Sequence, residues 1–287
     1  MVQKETMKDL SNATSGNYWQ SIAKLWDLIG SPSRPCDQDL AFIKEQSFPY
    51  LESLSPNISQ AVMLGVTKEI ALLSWPYNVS LLAIDRSPEM IDLVWPKTEV
   101  PKGKAILGDW KNLPCPDNSC DLVVGDCCFT LLDYPQSYQT VLQEVSRILK
   151  PQGLFIMRFF LRPDLSEDIE TIFDELKAKA IGNIFVFRWR LAMALQNSPE
   201  EGLPVHKIWQ RWQQEVSNPD QLMEHLGWPT ELLATITNYQ NSSAVFTFPT
   251  LSEVRQIFLS YFDEVSCHFP SYELGERCPT LTFHPKK

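Results

Sequence analysis

Residues 61–73 read AVMLGVTKEIALL and residues 81–90 read LLAIDRSPEM, and together they decide the fold. Each opens on an apolar run short enough for one buried strand. Each then breaks, at Gly65 in the first and at Asp85-Arg86-Ser87-Pro88 in the second, and continues with helical spacing. Strand and helix in alternation are the pattern of a parallel sheet joined by crossover helices. Asp85 follows Gly65 by twenty residues and stands at the tip of the second strand. A glycine lets the backbone come close to a ligand, and a helix start offers unpaired N–H groups. An acid at that distance can accept both ribose hydroxyl hydrogens. The constellation describes an adenosine-containing cofactor.

The same texture extends outward. Strands are expected at 60–64, 80–84, 104–107, 120–125 and 154–160, and helices at 68–73, 88–94 and 138–149. Upstream, Trp19, Ile22, Ala23, Leu25, Trp26 and Ile29 recur at helical spacing over 18–29, and Asp37 is the expected cap of a helix over 39–54. Downstream, residues 162–250 turn helical, too long a stretch for one ordinary crossover. It reads as an insertion packed over the open edge of the sheet. A helix over 251–262 and strands near 264–269 and 279–284 close the chain. The expected fold is therefore α/β: a doubly wound, mostly parallel seven-stranded sheet with helices on both faces. The expected division is an N-terminal helical segment, 1–56, a cofactor-binding core, 57–161, a helical acceptor cap, 162–250, and a C-terminal completion, 251–287.

A formal charge of -10 argues against a phosphate backbone as partner, because such binding draws on clustered Lys and Arg. No run of eighteen apolar residues and no export signal is present, so the expectation is a cytoplasmic protein without a membrane span. The seven cysteines lack the paired spacing of zinc sites and read as reduced structural thiols, with no metal expected.

Glycine and acid alone leave a nicotinamide dinucleotide and S-adenosylmethionine both open. A pyrophosphate needs a glycine-rich turn, and here Val66, Thr67, Lys68 and Glu69 fill those positions. A sulfonium cofactor carries no phosphate, so Glu69 is acceptable beside it. The order of segments from 60 to 160 resembles the class I S-adenosylmethionine-dependent methyltransferases. It runs AVMLGVTKEI, then LLAIDRSPEMI, then GDWKNLPCPDNSCDLVVGD, and ends on VLQEVSRILKPQGLFIMR. Met63, Thr67 and Glu69 depart from the family's usual first motif. They are similar to a branch whose turn reads Leu-Gly-x-Thr-Pro-Glu-Leu, with Lys68 in place of proline.

The resemblance implies roles for particular residues. Gly65 would admit the methionine part, Thr67 would hydrogen-bond the cofactor, and Asp85 would hold the ribose. Arg86 and Met90 would flank the adenine; Asp109 would take its amino group, beside Gly108 and Trp110. Asp126 and Cys127 fall where the family has the edge of its methyl-transfer pocket. Tyr18, Trp19 and Trp26 share a helix whose counterpart folds over the cofactor, and Arg34 would meet the cofactor carboxylate. Arg188, Trp189 and Arg190 would shape a pocket for an anionic or aromatic small-molecule acceptor. The implied activity is methyl transfer by in-line displacement with no universal base, so no residue is assigned a catalytic role. Two rivals remain at this stage: a non-catalytic scaffold with an eroded cofactor turn, and a nicotinamide oxidoreductase.

Overall fold

The computed structural model of the protein describes residues 19–97, 100 and 102–286. Five parallel strands form the centre: β1 (Ser59–Leu64), β2 (Val79–Asp85), β3 (Gly103–Leu107), β4 (Cys120–Asp126) and β5 (Leu149–Arg158). Strands β8 (Phe262–His268) and β9 (Thr280–Pro285) extend the sheet in the order β3-β2-β1-β4-β5-β9-β8, with β9 antiparallel to both its neighbours. The order reverses direction between β1 and β4, and a crevice opens at such a switch point beyond the carboxyl ends of the strands.

Alternation along each strand explains the two cores. Ala61 and Met63 of β1 join one apolar cluster with Ile43, Ile70 and Met90, whereas Val62 and Leu64 join the other with Val141, Val145 and Phe258. The first face thus carries the helices α1 (19–24), α2 (Asp37–Ser53), α3 (Lys68–Ala71) and α4 (Pro88–Leu93). The second carries α5 (Gln136–Ile148) and α11 (Leu251–Phe258). Among the described residues no helix is long and apolar enough to cross a membrane.

Four details differ from the sequence-based expectations. The helix expected over 18–29 is α1, followed by a 3-10 turn over Trp26–Leu28, and Tyr18 lies outside the described residues. Cys36, not Asp37, caps α2, and the Asp39 carboxylate accepts the Cys36 amide at 2.9 Å. The final helix stops at Phe258 instead of 262. Val254, Phe258 and Phe262 are all buried at a spacing of four, so periodicity carries on into β8 and conceals the end of α11.

The fourth difference concerns the segment between β5 and α11. Its helices are α6 (Ile169–Lys177), α7 (Ile184–Leu195), α8 (His206–Glu215), α9 (Pro219–Leu226) and α10 (Leu233–Thr237), and it also holds a short antiparallel ribbon of β6 (Leu203–Pro204) and β7 (Val245–Phe246). It does not sit at an open edge. Phe160 stacks on Trp189 at 4.2 Å and the Thr247 amide bonds the Thr130 carbonyl at 2.9 Å, which draws the segment across the carboxyl ends of the central strands.

Candidate functional site

The turn after β1 is built on Gly65, whose φ of +84° is a left-handed conformation that a side chain disfavours. Its amide donates to the Ile84 carbonyl at 2.8 Å, which pins the tip of β1 to that of β2. A Cβ placed on Gly65 would lie 3.6 Å from the Trp110 ring, 3.7 Å from Asp85 Oδ2 and 3.9 Å from Cys128 Sγ. Missing side chain, carboxylate, indole and thiol therefore surround one small space. Trp110 is fixed there by its indole N–H, which donates to the Ile84 carbonyl at 2.7 Å.

Asp85 is not the cap of α4. Ser87 is, accepting the Met90 amide at 3.3 Å, while Asp85 Oδ1 accepts the Ser87 amide at 2.8 Å. Oδ2 stays on the side of Gly65. Burial raises the Asp85 carboxyl from its ordinary 3.8 to about 6, against the opposing pull of the Ser87 amide and the Arg86 charge. A carboxylate held out of water in this way is poised to accept hydrogen bonds from a ligand.

The space opens into a hollow at the carboxyl ends of β1, β2 and β4, between Leu64, Gly65, Asp85 and Asp126. Of the expected site residues, Gly65, Thr67, Asp85, Met90, Trp110, Asp126, Cys127 and Trp19 line it, and Trp26 does too. Arg86, Gly108 and Asp109 do not. They border a shallow neighbouring recess that shares Trp110 and Leu131 with the main hollow. Asp109 is exposed, and its Oδ1 accepts the Lys111 amide at 2.9 Å.

Arg34 is also placed elsewhere. Its Nε donates to Glu69 Oε1 at 2.7 Å, and Nη1 donates to the Trp26 and Ile29 carbonyls at 2.8 and 3.2 Å. The guanidinium is thus engaged by Glu69 and two backbone carbonyls, and Arg34 is not among the residues that line the hollow.

Asp126 closes the β4 side. It lies opposite Arg158 in the register of β4 and β5, and Arg158 Nε donates to Asp126 Oδ1 at 2.6 Å. Arg158 is fully buried and also donates to the Pro32 carbonyl and the Tyr272 hydroxyl. Cys127 follows with φ +53°, and burial pushes its thiol well above the ordinary value. Cys128 Sγ donates to the Leu64 carbonyl at 3.0 Å. Among the described residues, no group of three His, Cys, Asp or Glu is placed to hold a metal ion.

The segment between β5 and α11 contributes Arg188, Trp189, Tyr239 and Phe246 to the wall of the hollow. Trp189 is steadied by its indole N–H, which donates to Ser33 Oγ at 2.7 Å. Arg190, expected beside them, turns away and pairs with Glu167 and Glu175, both at 2.6 Å. Successive helical residues point about 100° apart, so 188 and 190 cannot share a face. Tyr239 and Phe246 were missed in the sequence, since nothing local marks residues that reach the site from the turn after α10 and from the ribbon. Arg158 had a signal: it ends the strand that pairs with the one ending at Asp126.

Residues 63–157 match the family model described as a methyltransferase domain, about a third of the chain. No curated protein matches the chain significantly. Among solved structures, a Rhodobacter sphaeroides protein assigned to the Zn-dependent alcohol dehydrogenases superposes with a TM-score of 0.61 at 15% identity, covering 95% of this chain and 99% of that one. The PH0226 protein of Pyrococcus horikoshii OT3 gives 0.50 at 16% identity, covering 91% and 98%. The N-methyltransferase NodS of Bradyrhizobium japonicum WM9, in complex with S-adenosyl-L-homocysteine, gives 0.49 at 11% identity, covering 95% and 100%. At these identities the likeness is one of fold.

Proposed function

We propose that the chain is an S-adenosylmethionine-dependent methyltransferase that acts on a small molecule within the hollow between the strand ends and the segment over them. The observation that carries this reading is the facing of Asp85 Oδ2 and the side-chain-free Gly65 across one space, 3.7 Å from the position a Cβ would take. That space suits a ribose hydroxyl pair on the carboxylate and a methionine chain against the bare backbone. Aromatic rings of Trp19 and Trp26 on the same hollow suit a positively charged sulfur.

S-adenosylmethionine, when bound, supplies a methyl group on a sulfonium that is already primed to leave. The chain's own part is to hold, align and exclude water. Asp85 anchors the nucleoside, and the left-handed turn at Gly65 keeps the backbone close. Trp110 fixes the floor between β1 and β2. Asp126, oriented by Arg158, and Cys127 form the wall where the acceptor and donor meet. No base is demanded of these residues unless the acceptor is a hydroxyl.

Calorimetric titration with S-adenosyl-L-homocysteine tests the reading. Saturable binding with a stoichiometry of one, and none of NAD, is the expected result. A chain that binds neither is a scaffold, and one that prefers NAD is an oxidoreductase.

A further inference from the structure

Arg188 is 3% exposed, and among the described residues no carboxylate pairs with it. Its hydrogen bond is from Nη1 to the Thr235 carbonyl at 3.0 Å, and Nε is buried with no partner among the described residues. The other deeply buried guanidinium, Arg158, has Asp126 at 2.6 Å and Asp39 at 3.8 Å. Rings of Phe185, Trp189 and Tyr239 stand 5.3, 5.9 and 5.1 Å from the Arg188 guanidinium carbon. Ring faces offset part of the burial of a cation, but they accept none of its N–H groups in the plane of the fork.

A guanidinium does not shed its proton, so burying one without a counter-charge is unfavourable unless a ligand supplies that charge. Arg188 lines the hollow, where among the described residues it is the one cationic side chain. We infer that the methyl acceptor carries a carboxylate that Arg188 binds, with an apolar or aromatic body lying against Trp189 and Phe246. A monoanion matches a lone guanidinium, whereas a phosphate dianion would leave a charge unpaired. The carboxylate is assigned to the acceptor because Arg188, Tyr239 and Phe246 line the hollow from the segment between β5 and α11, whereas Gly65 and Asp85 line it from the strand tips. The inference rests on the methyltransferase reading for the identity of the second ligand.

The probes are phenylacetate and its neutral isostere phenylacetamide, titrated by calorimetry with and without saturating S-adenosyl-L-homocysteine. The acid should bind the wild-type chain about 10- to 100-fold more tightly than the amide, the effect of charge-assisted hydrogen bonds. Arg188→Met should abolish the preference, with affinity for S-adenosyl-L-homocysteine held, and Arg188→Lys should restore part of it. If Arg188→Met does not fold, the contrast between acid and amide on the wild type decides. Equal binding of the two probes overturns the inference. So does a loss of S-adenosyl-L-homocysteine affinity in Arg188→Met, which would make the bound carboxylate the cofactor's own. Acid preference in a chain that does not bind S-adenosyl-L-homocysteine would keep the anion site and sink the methyltransferase reading alone.

Discussion

Arg34 Nε donates to Glu69 Oε1 at 2.7 Å, across the gap between the segment preceding α2 and the first turn of α3. The same guanidinium lies over the Trp26 ring at 5.4 Å and bonds the Trp26 and Ile29 carbonyls. One ion pair thus ties the aromatic wall of the hollow to the turn that carries Gly65. Glu69→Gln strips the charge from a partner only 15% exposed. The destabilisation should be about 1–2 kcal/mol, below the roughly 3–5 kcal/mol of a fully buried pair. Urea unfolding measures it, and weaker S-adenosyl-L-homocysteine binding should accompany it because Trp26 loses its tether. An unchanged midpoint and affinity would show the pair to be idle.

Asp85 makes cofactor binding depend on pH. Its carboxyl is raised from 3.8 to about 6 by burial, so between those values the folded chain holds a proton that the unfolded chain has released. Stability therefore falls as pH rises through that window, and the loss is complete above about pH 6. Ligand binding runs the other way, since ribose hydroxyls donate to the ionised form. Affinity for S-adenosyl-L-homocysteine should climb close to tenfold per pH unit below pH 6 and level off above it. Asp85→Asn should flatten the profile, raise the melting temperature at pH 8 but not at pH 4, and weaken binding about 10- to 100-fold.

Much of this was legible in the residues. Alternation in AVML and LLAI marked two buried strands, and Gly65 and Asp85 marked their tips, because strand period and turn chemistry are local properties. The destination of Arg34 was hidden, as its partner lies thirty-five residues away and only the packing of two elements brings them together. Asp109 was read from its place in a motif, and the structure puts it in the neighbouring recess behind Trp110. Of Arg188, Trp189 and Arg190, sequence adjacency suggested a unit that helical geometry divides between the hollow and a pair of glutamates.

Gly65→Ala separates conformation from space. A Cβ would meet nothing closer than 3.6 Å, so the folded chain has room for it. The φ of +84° is what an alanine resists, at about 1–2 kcal/mol. Thermal unfolding should show a loss of that size. Calorimetry should show a much larger relative loss of S-adenosyl-L-homocysteine affinity, because the methyl group occupies the face the ligand needs. Equal losses in both would mean that the turn serves the fold and not the ligand.

Cys127 lines the hollow with a thiol that burial holds protonated, and Cys128 beside it is likewise raised by burial. Cys115 behaves in the opposite way: a hydrogen bond from Cys120, helped by the Arg147 charge, lowers its thiol below the ordinary value. The thiolate is the species that reacts with alkylating reagents. Iodoacetamide at pH 7.5 followed by peptide mass mapping should therefore label Cys115 first and leave Cys127 and Cys128 unmodified on the same timescale. Methyl transfer needs no sulfur nucleophile from the chain, so Cys127→Ser should keep S-adenosyl-L-homocysteine affinity within a few-fold, and labelling at Cys115 should leave it unchanged. Rapid alkylation at Cys127, prevented by S-adenosyl-L-homocysteine, would instead reveal an activated thiol in the hollow and require a covalent step that the present reading does without.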